Sequence, residues 1–355
     1  MNLRASILKL IARKSYSGNF EPRKFRRILI VRPAKIGDTI CLFPLIRELK
    51  KNIPSANIDV YASTYNNFMF RFMPQVRHVY TRYKRHKALT TLVEIFRMRR
   101  NHYELVIDTM DIRFGKVMAL ALIKADWLVA NTGYERHYGM DNSDLGLYYK
   151  LNQWKQIHTT DRLVEFLRLL GIENYDNKME FPLDGKTISF AESFLRPHAD
   201  YKLVGLNAEA TSKTRTIPNS GIIQLCKGLA QRDKNIKILL FSSPARHYDM
   251  NMLIENSKLN NVVVETGTKD IFDAAALVSF MKVMISPDTS FIHIASAFDI
   301  PTVAIYPNDP QHLRYWGPRS SKHVVIQPDQ SDGSINDFSI SGTVRAALKL
   351  LNENI

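Results

Sequence analysis

Ile285-Ser286-Pro287-Asp288-Thr289-Ser290-Phe291-Ile292-His293-Ile294-Ala295-Ser296-Ala297 decides how this chain is read. The apolar run Val283-Met284-Ile285 that leads into it has the character of a buried strand. Phe291, Ile294, Ala295 and Phe298 then recur at helical spacing. Between the two lie Pro287, Asp288, Thr289 and Ser290, residue types that start helices. A strand turning tightly into a helix leaves several backbone N–H groups unsatisfied, and the helix dipole adds partial positive charge there. Such a turn suits a diphosphate, and His293 sits one helical turn further in. The same residues also make an ordinary capped helix, and spacing alone does not separate the two.

The alternation of strand and helix extends outward from this stretch. Residues 302–306 read as the next strand, and 341–351 as a closing amphipathic helix. Upstream, 203–206, 236–241 and 262–264 are apolar strands, with helices over 222–229 and near 272–278. The first half repeats the rhythm. Ile28-Leu29-Ile30-Val31 is a buried strand, followed by a turn over 32–39 and a helix through Leu42, Leu45, Ile46 and Leu49. Strands at 58–61, 105–108 and 127–130 follow, with a helical piece at 119–123 and a helix through Leu163, Phe166, Leu167 and Leu170. In the basic, aromatic region 65–100, a helix is expected to turn Leu89, Leu92, Val93 and Phe96 inward. The Tyr-rich residues 134–149 have no assignment. Residues 174–184 read as a linker. The expectation is an α/β protein of two doubly wound, Rossmann-like halves with a cleft between them and ligands at the carboxyl ends of the strands. Its parts are a basic amphipathic segment 1–26, a first domain 27–184, a second domain 185–340 and a closing helix 341–355.

At 355 residues and 45% hydrophobic composition the chain can bury two cores. Cys41 and Cys226, the two cysteines, lie too far apart for a ligand or redox motif, which fits a reducing compartment. No apolar run reaches the ~18–20 residues of a spanning helix, and no signal-peptide core is expected at the N-terminus. Charge is distributed unevenly. Residues 1–100 hold 22 Lys and Arg against 5 Asp and Glu, the remainder 27 against 29, so the whole excess of +15 belongs to the first part. An anionic partner follows from this: nucleic acid, an acidic membrane surface or a phosphorylated acceptor. Leu3, Ile7, Leu10 and Ile11 share a helical face ringed by Arg4, Lys9, Arg13 and Lys14, which suits either a bilayer headgroup region or packing on the domain itself.

Two motifs carry a family resemblance. One is Ile28 to Asp38, with its strand and Gly37-Asp38 turn. The other runs from Ser286 to His293, then through Pro301-Thr302-Val303-Ala304-Ile305-Tyr306 to Pro310, Trp316, Gly317 and Pro318. In this order and separation they resemble glycosyltransferase family 9, the ADP-heptose:lipopolysaccharide heptosyltransferases, and weaker similarity spans roughly residues 27–350. The resemblance implies the two-domain GT-B fold, an N-terminal acceptor domain and a C-terminal nucleotide-sugar domain. It also implies inverting transfer of a heptose from ADP-heptose to the inner-core oligosaccharide of lipopolysaccharide, with ADP leaving.

By that resemblance Asp38 is the base that deprotonates the acceptor hydroxyl, although Asp is equally suited to a helix N-cap. The leaving diphosphate needs positive charge. Family members resemble residues 207–218 with a Lys three places before the Pro. Here that place holds Arg215, with Lys213 two residues earlier, and solvated surface charge is the plain alternative for both. Asp288, Thr289, Ser290 and His293 match the donor-binding motif, with Asn207 and Glu209 beside them; Ser290 stands where the family usually has Gly. Trp316 walls the site or fills the core. Lys35, Arg71, Arg113 and Arg136 are candidates for an anionic acceptor. Thr109-Met110-Asp111 replaces the family's usual Gln-Gly after the strand ending at Asp108. No metal or other cofactor is expected, because no His/Asp cluster has ligand spacing. The expected partners are a nucleotide sugar, a lipid-linked acceptor and the anionic inner-membrane surface, at the cytoplasmic face. Competing classes are a transferase using another nucleotide sugar, a nucleotide-sugar epimerase and a basic nucleic-acid-binding protein. A dinucleotide dehydrogenase is disfavoured, since no Gly-x-Gly-x-x-Gly follows the first strand.

Overall fold

The computed structural model describes residues 20–83, 87–109, 119–120, 122–123, 125–130, 147–150 and 157–353. Most of the N-terminal basic segment, Arg113 and Arg136 lie outside the described residues. The chain divides into two compact units, Met1–Asn177 and Lys178–Ile355. The division falls within the stretch read as a linker, seven residues before the domain boundary expected at 184.

The first unit holds six parallel strands: β1 (Arg27–Val31), β2 (Asn57–Ser63), β3 (Val76–Arg82), β4 (Leu105–Asp108), β5 (Trp127–Ala130) and β6 (Leu147–Lys150). They lie in the order β3-β2-β1-β4-β5-β6. In the second unit β7 (Lys202–Asn207), β8 (Ile236–Phe241), β9 (Val262–Val264), β10 (Val283–Pro287), β11 (Thr302–Ile305) and β12 (His323–Ile326) lie in the order β12-β11-β10-β7-β8-β9, again all parallel. Counted from each unit's own first strand, both sheets have the order 3-2-1-4-5-6. The order therefore reverses between β1 and β4 and again between β7 and β10, and at such a switch point the flanking loops part to leave a ligand crevice at the carboxyl ends.

The apolar runs form central strands because a parallel sheet covered by helices buries both of its faces. β4, β5, β10 and β11 are buried throughout. Gly205 in β7 lies in register with Met284 of β10, and a Cβ there would come 2.6 Å from the Met284 sulfur. Glycine is what lets that long side chain lie across its neighbour strand. The helix Ile340–Asn352 packs on Asn219–Arg232, and Ile271–Ser279 packs on Gly185–Leu195. The closing helix is thus part of the second unit's core. In the first unit Thr159–Leu169 packs on Phe43–Asn52, while Phe20 meets Phe25 and Trp127 edge-on at 5.6 and 5.3 Å.

Three readings change. The turn after β1 is already helical at Ile36–Ile40, so Asp38 lies in a first helical turn and not ahead of one. In the helix Ala88–Arg100 the inward face is Glu94, Ile95 and Met98, while Leu89, Leu92, Val93 and Phe96 are exposed. Part of the unassigned Tyr-rich region is the edge strand β6.

Candidate functional site

At the β7/β10 switch point, Thr289 caps the helix Ser290–Ala297 in extended conformation, its Oγ1 accepting from Phe291 N–H at 3.2 Å. The first turn of a helix has no intrahelical acceptors for its N–H groups. Those of Thr289 and Ser290 have no protein acceptor among the described residues. The cap is held from below. Asn207, the last residue of β7 and almost wholly buried, has Ser286 Oγ, Thr289 Oγ1 and the Glu209 carbonyl within 3.0–3.1 Å of its Nδ2. Two hydrogens shared among three acceptors fix the side chain and draw the ends of β7 and β10 together.

Asp288 gathers charge beside this cap. Its Oδ2 accepts from Arg215 Nη1 at 2.6 Å and from His312 Nε2 at 2.7 Å. A proton on Nε2 for the second bond prevents that nitrogen from also accepting from Arg215, whose Nη1 is 3.5 Å away. Burial works against ionisation of Asp288, but the His312 hydrogen bond and the charges of His312, Arg215 and His293 outweigh it. The carboxyl is held below its ordinary value. Arg215 spends one Nη1 donor on Asp288, and its half-buried guanidinium presents the remainder of the fork. Lys213, on the same 3-10 turn Lys213–Arg215, is exposed, with no protein partner among the described residues. Glu209 turns away from the helix start: its Oε2 accepts from Ser243 N–H at 3.3 Å and Arg246 lies 3.8 Å from Oε1. His293 is buried, edge-on to the half-buried Trp316 at 6.1 Å. Trp316 is thus neither a full core residue nor a free wall, and Tyr306 donates to its carbonyl at 2.8 Å.

At the β1/β4 switch point the groups are of another kind. Asp38 Oδ1 accepts from Arg32 Nη2 at 3.1 Å, and Oδ2 from the Lys35 N–H at 3.3 Å. The carboxylate keeps about a quarter of its surface, 26%, open. Arg32 is buried, and its Nη1 donates to the Thr109 carbonyl just past β4 at 3.1 Å. Thr109 Oγ1 in turn donates to the Val31 carbonyl at 2.8 Å. The turn is anchored from β2 by fully buried Asn66, whose Nδ2 donates to the Arg32 carbonyl (2.8 Å) and to Thr39 Oγ1 (2.9 Å). Lys35 is exposed, and Arg71, also exposed, lies 5.8 Å from the Phe72 ring.

The structure places Asp38 at one switch point and brings Asn207, Arg215, Asp288, Thr289 and Ser290 together at the other. Sequence reasoning gave no role to Arg32, Asn66, Thr109 or His312. Only His312 had a sequence signal: Asp309-Pro310 starts a helix, and the Asp309 carboxylate accepts from His312 N–H at 3.0 Å, fixing the imidazole in the first turn.

Two parallel α/β units of identical strand order, the second with an anion-suited helix start at its switch point, give the GT-B architecture of nucleotide-sugar enzymes. A family model described as glycosyltransferase family 9 (heptosyltransferase) matches residues 95–336. The chain belongs to that family and is a transferase enzyme. It is 22% identical over 343 residues, 92% of this chain and 88% of the other, to a putative lipopolysaccharide heptosyltransferase 4 of Escherichia coli K12. Among solved structures it is similar to a family 9 glycosyl transferase of Veillonella parvula, with TM-score 0.78 at 17% identity, covering 95% and 100% of the two chains. It also resembles the E. coli ADP-heptose lipopolysaccharide heptosyltransferase II, with TM-score 0.73 at 18% identity, covering 92% and 99%.

Proposed function

We propose that this enzyme transfers a heptose from ADP-heptose to a hydroxyl of the lipopolysaccharide inner core, with inversion at the anomeric carbon. The observation that carries the reading is the helix start at Thr289 and Ser290, with two N–H groups for a ligand and Arg215 and Lys213 on one short turn beside it. The donor diphosphate accepts hydrogen bonds from those N–H groups and from the Arg215 fork. Lys213 adds a mobile charge. Asp288 holds Arg215 and His312 in place. In the first unit Asp38 takes the acceptor proton as the acceptor oxygen bonds to the anomeric carbon and the bond to the phosphate oxygen breaks. Lys35 and Arg71 meet acidic groups of the acceptor, Arg113 and Arg136 being further candidates. Positive side chains and the helix start meet the leaving-group charge without a metal ion or other cofactor.

The donor identity rests on family membership and on the ADP-heptose named for the E. coli relative. No helix among the described residues is long and apolar enough to cross a membrane. A lipid-linked acceptor and the basic first unit favour attachment at the cytoplasmic face of the inner membrane. Calorimetric titration with ADP, UDP, GDP and CMP tests the reading. ADP is expected to bind selectively, and Arg215→Ala to weaken it about 10- to 100-fold, the worth of one or two charged hydrogen bonds. Preference for UDP overturns the donor assignment, and no nucleotide binding overturns the transferase site.

A further inference from the structure

We infer that the outer face of the helix Ala88–Arg100 is a docking surface for an anionic lipid bilayer. The inference deepens the reading of a lipid-linked acceptor and depends on it for its purpose. Among the described residues, four of the ten exposed large hydrophobic side chains, Leu89, Leu92, Val93 and Phe96, lie on this single helix. At 100° per residue they fall within an arc of about 100°, one continuous stripe. Leu89 is 79% exposed and Phe96 52%. The opposite face, Ile95 and Met98, is fully spent on the core of the first unit, so the stripe has no partner within that core.

Charge decides the occupant. Arg97 and Arg99 flank the stripe on its two sides, and exposed Arg100 continues it at its end. Arg97 pairs with Glu94 at 3.0 Å and keeps 63% of its side chain open. Residues 71–100 hold nine Lys and Arg against a single acidic residue, Glu94, and that one is buried. An apolar stripe between cations matches the two layers of an anionic membrane: acyl boundary for the leucines and phenylalanine, phosphate headgroups for the arginines. A protein partner that buried the stripe would have to supply acidic groups on both of its sides. Placement fits as well. The helix returns from the end of β3 toward the start of β4, so Leu89 in its first turn lies toward the carboxyl edge of the sheet, where Asp38 is.

The test is flotation of the full chain with unilamellar vesicles of phosphatidylethanolamine and phosphatidylglycerol, against vesicles of phosphatidylcholine alone. The Leu89→Ser/Phe96→Ser double variant and the Arg97→Gln/Arg100→Gln double variant are compared with the wild type, and ADP binding is titrated in parallel. Wild type is expected to float with anionic vesicles only, and each variant to lose at least tenfold in partitioning with ADP affinity within twofold. Unchanged flotation of the Leu89/Phe96 variant overturns the surface, and so does equal wild-type binding to neutral vesicles. A lipid-free wild-type dimer that the Leu89/Phe96 variant abolishes assigns the stripe to a second copy instead. A variant that unfolds at markedly lower temperature assigns it to cover by another segment of this chain. Failure of the transferase reading is seen separately, as absence of ADP binding with flotation intact.

Discussion

Asn66 is a residue through which the first unit's chemistry can be tested, because it touches Asp38 only through the turn. Its amide makes four hydrogen bonds of 2.8–2.9 Å, to the Arg32 carbonyl, Thr39 Oγ1, Ser63 N–H and Ser63 Oγ, at zero solvent exposure. In Asn66→Ala the Thr39 hydroxyl keeps its bond to the Lys35 carbonyl, so its loss is small. The Ser63 N–H and the Arg32 carbonyl each lose a buried hydrogen bond, at about 1–3 kcal/mol for such a loss. Because water enters part of the space, the sum is about 3 kcal/mol and not the full total. With a urea slope of about 2 kcal/mol/M, the first unit's unfolding midpoint falls by about 1.5 M. The turn holding Arg32 and Asp38 loses its anchor to β2. A shift of about 1 Å in a reacting group costs about 100-fold in turnover, while ADP affinity, which the proposed function assigns to the second unit, is expected to stay within twofold. Urea unfolding followed by fluorescence, acceptor-dependent ADP release and calorimetry read the three quantities. A midpoint shift under about 0.5 M with unchanged turnover, or a loss of ADP affinity, refutes the anchoring.

The remaining predictions concern the two sites directly. Asp38→Asn keeps the shape but cannot take a proton, and is expected to slow turnover by at least 100-fold with ADP binding intact; a rate near wild type removes Asp38 from the base role. Asp288 is held below its ordinary pKa, so the unfolded chain protonates it first as pH falls. Its contribution is therefore complete above about pH 4 and is lost as pH drops through the folded value. The gap in thermal midpoint between wild type and Asp288→Asn should be level near pH 5 and narrow below about pH 4, and a gap that widens toward acid contradicts the charge cluster. Excess EDTA should leave turnover unchanged, whereas a loss restored by Mg²⁺ points to a metal role.

Much of the fold was legible because parallel central strands are written as bare apolar runs. Leu105–Asp108 and Ile236–Phe241 have the bounds read from sequence. The edges were less legible. Val76–Arg82 carries Arg77, His78 and Arg82, and His323–Ile326 has no fully buried residue, so neither resembles a core strand. Within Ala88–Arg100 the helical period was correct and the facing was wrong. Apolar residues occupy both sides of that helix, and spacing cannot say which side meets the sheet; Glu94 is buried there through its pair with Arg97. The site was legible where a side chain is reached along the chain, as with Thr289. Asn66 and Thr109 act from the turns that follow other strands, 28 and 71 residues beyond Asp38 in sequence, and no local pattern marks a residue whose role comes from pairing with a distant loop.

The two units use one topology for opposite electrostatic tasks, and that division favours a transferase over an epimerase. At the β7/β10 switch point the groups offered to a ligand are donors and cations: two helix N–H groups, the remaining Arg215 fork and Lys213. They suit a ligand that gains negative charge as it departs. At the β1/β4 switch point the open group is a carboxylate, with Arg32 held behind it by bonds to Asp38 and the Thr109 carbonyl. A proton acceptor of that kind is needed where a hydroxyl turns nucleophilic. An epimerase acts on a single nucleotide sugar and has no acceptor hydroxyl to activate.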